Sequence, residues 1–167
     1  MSKIEVRLAK KSDVDMLAKI QISSWKSAFG SILTRDILEV YADTIKCTEI
    51  LKNVLDTNRG KLYIASLNGV PCGELFWCEA GEDMPQNAQI IALHSLENSW
   101  GTGLGKAMMN KALLDIQLAG KSIVNLWVFK DNLRARRFYE KCGFIYSGRE
   151  KSSDFGNVVE VEYIKHL

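Results

Sequence analysis

A nearly continuous apolar run, Ala88 to Leu96 (AQIIALHSL), passes through ENSWGTGLG into KAMMNKALLDIQ, where apolar residues recur at helical spacing. Glycine is the poorest helix former after proline. Three of them at 101, 103 and 105, at the mouth of a helix, therefore mark a turn with special backbone needs. An apolar run with no polar face belongs in the middle of a sheet. The order is central strand, glycine turn, helix. Such a junction gathers unpaired backbone N–H groups at the positive end of a helix dipole, which makes it an anion site.

Two phosphate-binding signatures do not fit it. A P-loop read back from Gly105-Lys106 needs glycine where Trp100 stands and a hydroxyl where Ala107 stands, so the magnesium ligand is missing. The dinucleotide pattern G-x-G-x-x-G needs glycine at Lys106 if begun at Gly101, or at Met108 if begun at Gly103. A tight turn without a ligand stays open as the plainer alternative.

The remaining elements follow from periodicity and punctuation. Ile4 to Leu8 reads as a short strand. Ser12 is expected to cap a helix carrying Val14, Leu17, Ala18, Trp25, Ala28 and Phe29, and Thr34 a second through Leu38 and Tyr41. A third helix is expected over Thr48 to Leu55. KLYIAS and GELFWC form a hairpin about Asn68-Gly69, followed by a loop from Glu79 to Gln86. After the glycine helix, SIVNLWVF is a second buried strand and NLRARRFYEKC a helix stopped at Gly143. FIYSGREK and VVEVEYIK close the chain as strands joined through Gly156-Asn157. This order predicts one mixed α/β sheet, antiparallel at the start, with a parallel pair in the middle and helices on both faces.

Length and charge bound the function classes. The 167 residues suit a single domain spanning 1–167. Twenty-two basic against 20 acidic residues, a formal net charge of +2, are too balanced to suggest a nucleic-acid or membrane surface. Neither an 18-residue apolar run nor a signal peptide is apparent, so the expected location is cytoplasmic and no membrane partner is expected. Cys47, Cys72, Cys78 and Cys142 show no Cys-x-x-Cys spacing, and only His94 and His166 accompany them. No metal site is expected, and the thiols are expected to be reduced.

IIALHSLENSWGTGLGKAMMNKAL resembles the acetyl-CoA-binding motif of the GNAT superfamily of N-acyltransferases. There a strand is followed by Gln or Arg, then x-x-G-x-G/A and a helix. Trp100 falls at the Gln/Arg position and Gly103 and Gly105 at the glycines, so one polar side chain is replaced. WVFKDNLRARRFYEKCGF resembles the family's second signature through Asn132, Ala135, Phe138, Tyr139, Glu140, Lys141, Gly143 and Phe144. The opening EVRLAKKSDVDMLAKIQISSWKSAF is similar to the family's first strand and helix.

The resemblance implies a mostly antiparallel central sheet of about seven strands, splayed between strands 4 and 5, with the pantetheine arm of acetyl-CoA in the gap. Main-chain groups near Leu93, His94 and Ser95 would bond that arm, and the amides of Gly101, Thr102, Gly103, Leu104, Gly105 and Lys106 its diphosphate. Asn132 is a helix cap and, by resemblance, a cofactor contact. One or two of Lys106, Arg134, Arg136 and Arg137 would meet the ribose phosphate. The implied activity is transfer of acetyl from acetyl-CoA to a primary amine of a small molecule or a peptide or protein N-terminus, by direct attack in a ternary complex. The alternative is a non-catalytic acyl-CoA-binding module.

Tyr139 falls at the family's acid position. Its ordinary pKa near 10 suits protonation of a departing thiolate, and its helix stripe predicts Ala135, Phe138 and Cys142 toward the core with Tyr139 one step round, in the cleft. The base stays open. Many relatives carry Glu where Gln89 stands here, and Glu74, Glu97, His94 or water are the candidates. The acceptor is expected against the first two helices, around Trp25, Phe29 and Tyr41, and against Glu79, Glu82 and Asp83, whose charges would suit a cationic amine. The closing strands, Val158 to Tyr163 above all, offer a possible homodimer edge.

Overall fold

A computed structural model describes residues 2–167. Among these residues the chain forms strands β1 (Ile4–Leu8), β2 (Gly60–Leu67), β3 (Val70–Glu79), β4 (Asn87–Ser95), β5 (Ile123–Phe129), β6 (Ile145–Ser152) and β7 (Val159–His166). The helices are α1 (Val14–Phe29), α2 (Arg35–Tyr41), α3 (Thr44–Thr57), α4 (Leu104–Leu118) and α5 (Leu133–Lys141). The strands lie in the order β1-β2-β3-β4-β5-β7-β6. Every neighbouring pair is antiparallel except β4 and β5, which run parallel. This is the mixed α/β sheet that the periodicity predicts.

Each face of the sheet is covered by helices, and each interface has its own core. On one side α4 and α5 pack Leu104, Met108, Met109, Ile116 and Tyr139 against Leu75, Trp77 and Tyr163. On the other, α1 and α3 pack Val14, Leu17, Cys47 and Leu51 against Leu62 and Ile64. The Tyr63 hydroxyl donates to Asp115 at 2.6 Å and accepts from the Trp77 indole at 3.2 Å. A buried hydroxyl satisfied on both sides fixes the position of α4 against the sheet, and with it the glycine turn at its head.

Local expectations need three corrections. Asp13, not Ser12, organises the entrance to α1, because its carboxylate accepts from the Lys10 amide at 2.7 Å and from Arg7. Thr34 precedes α2 but its hydroxyl makes no capping bond. Helix α3 begins at Thr44, four residues before Thr48, because the Asp43 carboxylate caps it by accepting from the Lys46 amide at 2.8 Å.

The feature that shapes the site is the junction of β4 and β5. Their register runs only from Asn87 opposite Ile123 to Ile90 opposite Leu126. Strand β4 then continues beside β3 to Ser95, and β5 beside β7 to Phe129. A bulge coincides with the parting, since Phe76 faces Ala92 while Trp77 faces Ile90, leaving Ile91 as the extra residue of β4. A bulge bends and twists its strand, and β4 turns away from β5 at this point.

Candidate active site

One large cavity, about 900 Å³, opens where the two strands part. Residues Ile91 to Ser95 of β4 form one wall and Trp127 to Phe129 of β5 the other. Five residues of β4 beyond the last β5 pair span about 16 Å of strand edge. Apart from the Ser95 carbonyl, which a side chain bonds, their backbone groups on that side have lost the neighbour that the rest of the strand enjoys. Buried unpaired groups of this kind cost about 1–3 kcal/mol each unless something bonds them.

The glycine turn forms the far end of the same cavity. Gly101 and Gly103 have φ of +77° and +92°, left-handed values that a side chain resists. Gly105 is small for another reason, because a Cβ there would stand 3.3 Å from the Phe138 ring. Among the described residues, the amides of Gly101, Gly103, Gly105 and Lys106 meet no protein acceptor, and the first helical bond of α4 runs from Ala107 to Gly103 at 3.0 Å. Four bare donors at a helix N-terminus form an anion cradle. The Thr102 hydroxyl does not face it. It donates to the Ser99 carbonyl at 2.7 Å and closes the turn.

The basic side chains divide. Lys106, Arg134 and Arg137 line the cavity near the cradle. Arg136 turns away to donate to the Tyr163 hydroxyl at 3.1 Å and the Lys130 carbonyl at 2.9 Å, which holds it on β7. Trp100 is accounted for by a contact that sequence spacing could not show. The Arg134 guanidinium lies 3.5 Å from the centre of its ring, and the indole N–H donates to the Ser95 carbonyl at 3.2 Å. The position that lost a polar side chain thus presents a cation held on an aromatic face.

On α5, the Asn132 side chain accepts from the Ala135 amide at 3.2 Å, caps the helix and borders the cavity. Ala135, Phe138 and Cys142 pack against the core as partly buried residues and also border the cavity, while Tyr139 is the more deeply buried, 8% exposed. Tyr139 still borders the cavity, its ring braced by Phe138, Phe144 and Tyr163. Its hydroxyl bonds no other described residue, and burial pushes its pKa up to about 12, so it is protonated at neutral pH.

Of the expected bases, His94 alone reaches the cavity. Its Nε2 accepts from the Trp25 indole at 3.4 Å, and burial lowers its pKa to about 4, which keeps the ring neutral. Glu74 pairs with His94 across β3 and β4 but is 1% exposed and lies outside the cavity lining. Neither of its oxygens has a hydrogen-bond partner among the described residues, and burial raises it to about 8. Glu97 is exposed, and Gln89 borders an adjoining pocket of about 150 Å³ that shares Ile91, Trp127, Phe155 and Glu160 with the cavity.

Of the residues expected to meet the acceptor, Trp25 and Phe29 line the cavity, whereas Tyr41 and the acidic loop lie outside the lining. Glu79 pairs with Lys121 at 3.2 Å, and Glu82 and Asp83 are exposed and outside the lining. That loop joins β3 to the start of β4, the end at which β4 and β5 are still paired. Phe129, Phe155 and Glu160 line the cavity without having been singled out in the sequence. An aromatic residue set among turn formers in SSDFGN was the available signal for Phe155. Among the described residues, no three His, Cys, Asp or Glu side chains gather as a metal site, and no helix is long and apolar enough to cross a membrane.

This architecture has close counterparts. Residues 22–144 match the model of the acetyltransferase (GNAT) family. A probable N-acetyltransferase of Mycobacterium tuberculosis is 30% identical over 151 residues, covering 89% of this chain and 83% of its own. The PaiA N-acetyltransferase of Thermoplasma acidophilum, solved in complex with coenzyme A, is similar in fold with a TM-score of 0.80 at 20% identity, over 96% of this chain and 98% of that one. The yncA protein of Salmonella typhimurium, solved with its cofactor acetyl-CoA, gives 0.76 at 13% identity over 99% and 94%.

Proposed function

The chain belongs to the GNAT family of acetyltransferases, and on that footing we propose that it transfers acetyl from acetyl-CoA to a primary amine by direct attack within a ternary complex. The observation that carries this is the coincidence, in one cavity, of an unpaired strand edge and a helix-mouth amide cradle. One suits the amide-rich pantetheine arm and the other a diphosphate, in the order in which coenzyme A presents them. Main-chain groups from Leu93 to Ser95 would hold the arm. Amides from Gly101 to Lys106 would hold the diphosphate, with Arg134 and Lys106 adding charge and Asn132 bordering the arm.

Acetyl-CoA supplies an activated acyl thioester and a thiol leaving group. The chain supplies the rest. Amides on the open edge of β4 face negative charge as it develops on the acyl oxygen, and such fixed donors cost no reorganisation during reaction. Tyr139 keeps its proton until the sulfur departs and then donates it. The amine must first lose its own proton. At an ordinary pKa near 10.4, only about one part in two thousand is free at pH 7, a handicap of about 4–5 kcal/mol. His94 is too weakly basic to remove it and its Nε2 is engaged by Trp25. The proton therefore leaves to water at the cavity mouth, helped by desolvation of the ammonium.

Thiol release from acetyl-CoA across an amine panel tests both parts. For active acceptors kcat/KM should rise about tenfold per pH unit up to the acceptor's own pKa. A plateau beginning at one fixed pH for amines of different basicity would reveal an enzymic base instead. Tight coenzyme A binding with no release for any acceptor would make the protein a sensor.

A further inference from the structure

The acceptor end of the cavity is walled by aromatic rings from three separate parts of the chain. Trp25 and Phe29 come from α1, Phe129 from the end of β5, and Phe155 from the hairpin between β6 and β7. Trp25 and Phe155 lie 5.1 Å apart at 82°, and Phe29 and Phe129 4.9 Å apart at 80°. Tyr41 of α2 backs the wall, 4.6 Å from Phe155, and its hydroxyl donates to the Asp154 carbonyl at 3.4 Å. That contact ties the hairpin to α2.

Charge is distributed the opposite way from what a polycation needs. Among the described residues lining the cavity, Glu160 is the one carboxylate, and the Lys151 ammonium stands 3.5 Å from it. Lys106, Arg134, Arg137 and Lys141 line the other end. A ligand with several ammonium groups finds a single carboxylate at the acceptor end, already shared with Lys151. An entering aromatic ring, by contrast, extends the edge-to-face packing already present, and aromatic faces tolerate a single ammonium group.

We propose that the acceptor is a small primary monoamine carrying an aromatic ring, seated among Trp25, Phe29, Phe129 and Phe155 with its amine toward the β4 edge. This rests on the acetyl transfer proposed above and narrows its acceptor class.

The test pairs turnover with binding. With acetyl-CoA, kcat/KM for 2-phenylethylamine and tryptamine should exceed that for spermidine, putrescine and an alanyl peptide at least tenfold. Phe155→Ala should raise KM for the aryl amines about tenfold, with little change in KM for acetyl-CoA. The retained coenzyme A affinity shows that the variant is folded, although it loses its ring contacts to Trp25, Tyr41 and Phe129. Calorimetry on the coenzyme A-saturated protein reads the same class without chemistry. Aryl amines that bind but are not acetylated would support the ring-lined site while removing the transferase activity. A preference for spermidine, putrescine or the peptide, or an aryl-amine KM indifferent to Phe155→Ala, would overturn the aromatic assignment and leave acetyl transfer standing.

Discussion

Tyr139 combines a buried ring with a hydroxyl that no other described residue bonds. Its brace of Phe138, Phe144 and Tyr163 fixes the ring whether or not the oxygen is there. Tyr139→Phe should therefore lower kcat by roughly 10²- to 10³-fold while melting temperature and affinity for coenzyme A stay nearly constant. Unchanged turnover across the pH range would strike Tyr139 from the mechanism. Glu74 is the reverse case, a carboxyl with no visible partner and no place in the cavity lining. Burial raises its folded pKa to about 8, against an ordinary 4.5. The unfolded chain thus releases this proton first, and the stability tied to the neutral form is complete below 4.5 and lost as pH rises through 8. Glu74→Met should accordingly stabilise the protein by roughly 2–4 kcal/mol more at pH 9 than at pH 5 in paired denaturant titrations. Equal gains at both pH values would mean that Glu74 is not held neutral. His94 has the opposite slope, losing stability as pH falls from 6.5 toward 4, but it is present in both proteins and cancels.

At the level of elements, strand β4, the glycine turn and α4 act as one device, and they were the most legible part of the sequence. An apolar run, a cluster of glycines and a 3.6-residue stripe are local signals, and each has a local physical cause. Helix entrances were less legible because several oxygen-bearing side chains compete for the same amides. Ser12 lost to Asp13, whose carboxylate also engages Arg7, and Asp43 opened α3 earlier than its apolar stripe suggests. The depth of Tyr139 was hidden too, since Tyr139 and Phe138 are adjacent and equally apolar over most of their surface. Gly103→Ala probes the turn itself. With φ at +92° and no close neighbour for the added methyl, its cost is backbone strain, about 1–2 kcal/mol. Coenzyme A affinity should fall by about tenfold or more as the amides shift, while the aryl-amine preference of turnover is kept. Unaltered affinity would separate the turn from diphosphate binding.

Over the whole molecule, the legible and illegible parts divide by sequence distance. The family resemblance pointed to the strand edge and the amide cradle of the cavity because those residues sit in two contiguous motifs. The acceptor side proposed above joins α1 to β5 and the β6–β7 hairpin, which lie about 100 residues or more further along the chain. Charges in the loop after β3 looked inviting only because sequence does not show at which end of β4 the sheet opens. The register of β4 against β5, four pairs and then none, decides both matters at once. It places the bare strand edge, the amide cradle and Tyr139 around a single space. Calorimetric titration of the purified chain with acetyl-CoA and coenzyme A asks whether that space is filled as described. One molecule of each should bind per chain, in competition with the other, with a negative heat-capacity change and with weaker binding to Gly103→Ala. Absence of heat and of any thermal stabilisation with both ligands, on protein shown to be folded, would contradict it.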